Sequence, residues 1–199
     1  MSTVKSKKLQ VGTDATSTNN FTIYQPASPD GTLRIGVGNA DSPTEVAQFN
    51  ANGYKPQQPV AFSALFSTDQ SFSINSWTKI QYNTEDFDTN SNYDNSTNYR
   101  FTPTVAGYYQ VNANIRINFS GSAGDGTYLA LYKNGSAWNV TSRINVTSLW
   151  GSLSLSSLVY LNGSTDYIEM YGFTNHSSPF FDHNGSVPSR LSAILISQG

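Results

Sequence analysis

Residues 99–117 read Tyr-Arg-Phe-Thr-Pro-Thr-Val-Ala-Gly-Tyr-Tyr-Gln-Val-Asn-Ala-Asn-Ile-Arg-Ile. From Tyr109 onward, Tyr109, Val111, Ala113, Ile115 and Ile117 alternate with Gln110, Asn112, Asn114 and Arg116. A repeat of two, apolar on one side and polar on the other, is the signature of a half-buried antiparallel strand. A slip of one residue would drive three amides and Arg116 into the core, so the register is strongly specified. Pro103 cannot donate to a ladder and Gly107 tolerates backbone angles closed to other residues, so a corner precedes the strand.

On either side of this strand, β signals recur without helical runs. They are Val60–Phe66, Lys79–Tyr82, Tyr99–Thr102, Gly107–Phe119, Thr127–Tyr132, Ala137–Ile144, Trp150–Tyr160, Asp166–Phe173 and Arg190–Ser197. Turns fall at Gly121–Gly126 and at two Asn-Gly steps, Asn134-Gly135 and Asn162-Gly163, which suit positive φ. Many short strands with no βαβ alternation predict an all-β sandwich or jelly roll. Upstream, Leu9–Val11, Phe21–Tyr24, Leu33–Val37 and Val46–Phe49 predict a smaller β region over residues 1–54. Strands so few and short bury little surface, so this region needs the following domain or copies of itself. Asn-Gly-Tyr-Lys-Pro-Gln-Gln-Pro at 52–59 has linker composition; the predicted domains are 1–54, a linker at 55–59, and 60–199.

The totals narrow the function. Charged residues make up only 12% of the chain and the formal net charge is −2, which gives a nucleic acid no basic face to bind. Lys5, Lys7 and Lys8 read as a solvated tail. Cysteine is absent, which removes disulfides and thiol chemistry. No apolar run follows the N-terminus as a secretory signal would, and none reaches the ~20 residues a membrane span needs. We therefore expect synthesis in a host cytoplasm and no membrane insertion.

A family resemblance joins these pieces. Val60-Ala61-Phe62-Ser63-Ala64, Phe87-Asp88 with Tyr93, Phe101-Thr102-Pro103, Ala106-Gly107-Tyr108-Tyr109, Leu131-Tyr132-Lys133-Asn134-Gly135, Asp166-Tyr167-Ile168 and Ser192–Ile196 follow in order over residues 60–199. In that order and spacing they resemble the globular head of C1q and the wider C1q/tumour-necrosis-factor superfamily. The resemblance implies a ten-strand jelly roll assembled as a homotrimer, termini at its base, with one sheet of each protomer around the threefold axis. Tyr108, Tyr109, Tyr128, Tyr132, Tyr160, Tyr167 and Tyr171 are expected in core and interface. Val11-Gly12-Thr13, Asn20-Phe21, Asp30–Ile35 and Asn50–Gly53 resemble segments of bacteriophage tail-fibre and other virion proteins. Collagen repeats and coiled-coil heptads, the stalks of animal relatives, are missing, which favours a viral or bacterial owner.

Catalysis finds little support. No motif positions a Ser against His176 or His183, the two histidines of the chain, and no enzyme activity or cofactor is expected. The same histidines could ligate a metal on a trimer axis, but exposed loop histidines are the preferred reading. Glu85, Asp86, Asp88 and Asp94 match no calcium loop and read as a solvated loop. Nine Asn-X-Ser/Thr triplets follow from the abundance of those residues. The loop Thr174–Ser189 is the candidate receptor site: His176, Phe180, Phe181, Asp182, His183 and Asn184 set rings beside amides and a carboxylate, as glycan or protein recognition requires. Phe180 and Phe181 could equally anchor the loop. The expected protein is a non-enzymatic homotrimer on a virion surface, a short fibre or decoration. Residues 1–54 would join it to other virion proteins, and its head would meet a host glycan or protein. The alternatives are a capsid-stabilising cement protein and a free bacterial glycan-binding protein.

Overall fold

The computed structural model describes residues 8–55, 59–119, 126–141, 150–183 and 188–199. The chain divides into two compact units, Met1–Gln58 and Pro59–Gly199. The strand predictions at 142–144, the turn at 121–125 and Asn184 lie outside the described residues.

The first unit is an antiparallel meander whose strands pair in chain order: β1 (Lys8–Val11), β2 (Phe21–Tyr24), β3 (Leu33–Val37), β4 (Thr44–Asn50) and β5 (Gly53–Lys55). The strand β5 is not in the sequence reading, which gave Asn52 onward to a linker. Gly53 takes φ +104°, and the chain doubles back so that Tyr54 faces Phe49. Register puts Leu9, Ile23, Ile35 and Ala47 in one row across the sheet, and Val11, Phe21 and Val37 in the next. Partners in a row share a face, so one side of this sheet is apolar except for Thr44, the partner of Val37. On the other side Asn20 and Thr22 are buried, Asn20 donating to the Asp14 carbonyl and the Asn39 side chain, Thr22 to the Gly38 carbonyl.

The second unit is a two-sheet sandwich. The front sheet is built on the quoted stretch, now β12 (Ala106–Phe119), which pairs along its length with β15 (Trp150–Asn162). The other edge of β12 is shared between β18 (Arg190–Gln198) and the short β17 (Pro179–Phe181). Outside these lie β6 (Ala61–Leu65) with β9 (Thr84–Asp88), and β7 (Gln70–Ser71). The back sheet runs β10 (Tyr93–Asp94), β11 (Arg100–Phe101), β16 (Ile168–Thr174), β13 (Thr127–Lys133), β14 (Ser136–Val140), with β8 (Thr78–Lys79) also on β16. The predicted alternation holds. Tyr109, Val111, Ile115 and Ile117 are wholly buried, while Gln110, Asn112, Asn114 and Arg116 face away from the core. Gly107 is required where β18 crosses it: a Cβ there would run into the Ser197 carbonyl and the Leu195 side chain.

Between the sheets, the resembling motifs meet. Phe62 stacks on Tyr93 at 4.6 Å and on Phe101 at 4.5 Å, and Phe101 meets Tyr109 edge-on. Asn134 and Gly135 both take positive φ, as predicted for the Asn-Gly turn. The Asn134 amide also grips a distant loop, accepting from the Tyr167 N–H at 2.9 Å and donating to Asp166 at 2.8 Å, while Lys133 pairs with Asp166 at 3.0 Å. Two motifs thirty residues apart are thus one clamp.

Several expectations change. Of the seven tyrosines expected in core and interface, Tyr109 alone is buried; Tyr82 and Tyr93 are the other buried tyrosines. The acidic stretch is not a solvated loop. Glu85, Asp86 and Asp88 lie on β9, Asp86 is held by Ser63 and Arg190, and Asp88 accepts the N–H groups of Asn90, Asn92 and Tyr93. Asp94 caps its own turn, and the N–H groups of Thr97 and Ser96 hold its carboxyl far below the usual carboxylate range.

Candidate functional site

Three surfaces of the second unit carry side chains that could work outside the core. The first is the segment after β16, the candidate receptor loop. It is not a free loop. β12 outruns β18, leaving the backbone groups near Ile117 without a ladder partner, and β17 fills that edge. Phe181 is fully buried, stacked on Phe72 at 4.1 Å and lying over Gly172, whose lack of a side chain makes the room. His176 is also fully buried, its N–H bonded to the Thr174 hydroxyl. The expectation of exposed histidines fails for it, and neither residue has surface to offer a receptor. Asp182 is tied to Arg116 at 2.6 Å, and the His183 N–H donates to Asp69. Phe180, Asp182 and His183 keep partial exposure. This strap sits against Ile117–Phe119, whereas Val60 and Gly199 bond to Leu195 and Ala106 at the opposite end of β12.

The second surface is the outward face of β15, β12 and β18. Around Asn112 it is a hydrogen-bonding ribbon: Gln110 donates to Ser156, Ser156 to Asn112, and the Arg190 N–H to Asn114. Asn112, Asn114, Ser156 and Arg190 line a shallow groove with Ser154 and Ser192. Toward the end that holds Val60 and Gly199 the face turns apolar. Leu158 and Ile194 flank Gln110, Tyr160 pairs with Tyr108 with rings 5.4 Å apart, and Ile196 is the extra residue of a bulge. Leu158 is 54% exposed and Ile196 62%, high for aliphatic side chains on a central sheet.

The third surface is the outward face of the back sheet, where an aromatic strip runs across β8, β16 and β13. Trp77 lies 5.4 Å from Phe173 and 6.2 Å from Tyr132; Tyr128 lies 5.9 Å from Phe173, and Tyr132 stacks on Tyr171 at 4.1 Å. At its edge the buried Glu169 is neutralised by Lys79, whose ammonium also lies over Tyr171. Burial and the Glu169 charge push the Tyr171 phenol up. Sequence reasoning missed this strip for a physical reason. Tyr128-Leu129-Ala130-Leu131-Tyr132 is apolar on both faces, so its pattern does not say which rings turn outward. Among the described residues, no group of three His, Asp or Glu side chains is placed to hold a metal ion, and no helix is long and apolar enough to cross a membrane.

With this geometry in view, likeness to known proteins is one of fold. The second unit superposes on the globular domain of zebrafish complement 1qA with a TM-score of 0.52 and 16% identity, covering 71% of this chain and 100% of that one. It superposes on the Eiger TNF of S. frugiperda at 0.54 and 10% identity, covering 72% and 96%. The PRD1 vertex protein P5 aligns at 0.49 and 18% identity, covering 71% and 100%. No protein-family model matches the sequence, and no curated protein matches it. The second unit therefore has the C1q/tumour-necrosis-factor jelly-roll fold.

Proposed function

We propose that this chain is a non-enzymatic virion surface protein that works as a homotrimer. The single observation that carries the trimer is the apolar pad of Tyr108, Leu158, Tyr160, Ile194 and Ile196 on the outward face of the front sheet. It lies on the face that C1q-like proteins turn toward their threefold axis, beside the ends of the unit. Packing three pads together removes apolar surface from water at roughly 25 cal/mol per Å², and the Asn–Ser ribbon beyond them supplies hydrogen bonds without net charge. Residues 1–54, which resemble virion-protein segments, join the trimer to the particle and leave the jelly roll outermost. An enzyme is disfavoured because the chain has no cysteine and His176 has no solvent-reachable surface. Sedimentation of the purified chain and antibody labelling of purified particles test both halves. A folded monomer at micromolar concentration overturns the trimer, and particles without label overturn the virion assignment.

The aromatic strip favours host attachment over a purely capsid-stabilising role. Half-exposed rings carrying phenol hydroxyls, with the neighbouring charges cancelled between Lys79 and Glu169, suit the apolar faces and hydroxyls of a neutral glycan. Phe180, Asp182 and His183 supply a second rim at the far end. Trp77→Ala is expected to remove glycan-array binding while leaving the trimer intact. Unchanged binding would move the glycan site off this strip, and no binding by the unaltered protein would return it to a cement role.

A further inference from the structure

The first unit is inside out. Its described residues bury Asn20, Thr22, Gly36 and Gly38, and no hydrophobic side chain. Leu9, Phe21, Leu33 and Tyr54 are 47–58% exposed, and Ile23 and Ile35 between them are only partly covered. The polar side is already closed: Pro43 packs on Gly36, Gln10 accepts the Ala40 N–H, and Arg34 bridges Asp30 at 2.6 Å and Glu45 at 2.9 Å. The rows Leu9–Ile23–Ile35–Ala47 and Val11–Phe21–Val37 contain no charged residue. Five strands about 4.8 Å apart and about 15 Å long give a face of roughly 350 Å² in projection. That reaches the size at which an apolar patch marks an interaction site.

We propose that this face packs against the same face of the other two copies of the chain, so that three five-stranded sheets close into an apolar prism. The reading rests on the homotrimer proposed above. A trimeric jelly roll tethers three copies of the first unit at an effective concentration of about millimolar, so the face meets its own copies before any foreign protein. The chemistry agrees: an uncharged face offers a different partner no electrostatic mark, whereas it complements itself. A single sheet becomes stable when a second apolar layer covers it at about 10 Å, which the copies supply. Attachment to the particle then falls to the polar side and the free edges of β1 and β5.

The chain has no cysteine, so one substitution installs its only thiol. Ile35→Cys, at the centre of the face, is expected to form interchain disulfides under copper–phenanthroline oxidation of the full-length protein. One disulfide joins two of three copies, so the dimer band should approach about two thirds of the chain and be unaffected by dilution. Gln48→Cys, on the polar side, should remain monomeric on the same gel. Phe21→Cys repeats the test should Ile35→Cys fold poorly. If the oxidised face variants stay monomeric on the gel while the protein sediments as a trimer, this inference is overturned and the trimer stands; another surface then covers the face. If the protein sediments as a monomer, the trimer reading fails, and this inference with it.

Discussion

Leu158 and Trp138 are almost equally exposed, at 54% and 52%, yet the proposed trimer gives them opposite roles. Leu158 lies on the outward pad of the front sheet; Trp138 lies on β14, the edge strand of the back sheet. Burying a whole leucine side chain is worth about 1.5–3 kcal/mol. About half of Leu158 remains to be covered, so truncation to alanine removes about 1 kcal/mol per protomer from the association. A threefold interface repeats the loss three times, about 3 kcal/mol in all, and at 1.4 kcal/mol per tenfold the trimer association constant falls about 100-fold. Sedimentation velocity over a dilution series reads this as a shift of the trimer-to-monomer midpoint for Leu158→Ala. Trp138→Ala should leave the midpoint where it was. An unmoved midpoint for Leu158→Ala, or a larger shift for Trp138→Ala, would refute the front sheet as the trimer face.

Phe62→Ala empties the slot between Tyr93 and Phe101 and should cost about 3–5 kcal/mol in urea unfolding; a loss below about 1 kcal/mol would mean the stack does not hold the sandwich. Gly172→Ala places a methyl 2.5 Å from the Phe181 ring and should destabilise by about 1–3 kcal/mol, with Phe181→Leu relieving part of the loss. At alkaline pH, burial raises the Tyr82 and Tyr93 phenols far above their ordinary value. Their stabilising contribution is therefore full below the unfolded phenol value of about 10 and is lost as pH rises beyond it. Ultraviolet difference absorbance should show these two titrating only with unfolding; titration in the folded state would contradict their burial. The Asp94 carboxyl is depressed, so its contribution is present above the unfolded carboxylate value of about 3.9 and fades as pH falls below it. Asp94→Asn should flatten the acid limb of the unfolding profile.

The fold was legible wherever one face of a strand was polar. The alternation from Tyr109 to Ile117 identified the central strand and its inward set, and Asn134-Gly135 marked the β13–β14 turn with the residues that positive φ favours. The missed elements had no periodicity to show. β7 and β10 are two residues long, and β17 exists only because β12 has an edge to fill. The candidate loop was read from composition, and composition does not separate a ring that binds a receptor from one that seals a core. Phe181, beside Gly172 and Phe72, does the latter.

For this chain, then, local pattern was enough to set strand against turn and inward against outward on amphipathic strands. Long-range contact alone chose which surfaces stay open. That Asp86 meets Arg190, that Tyr128 and Tyr171 turn outward while Tyr82 and Tyr93 turn inward, and that the first sheet is dry on its polar side and bare on its apolar one, all depend on residues far apart in sequence. Burial is set by what lies on the other side of a strand, and a one-dimensional pattern records the strand but not its neighbour.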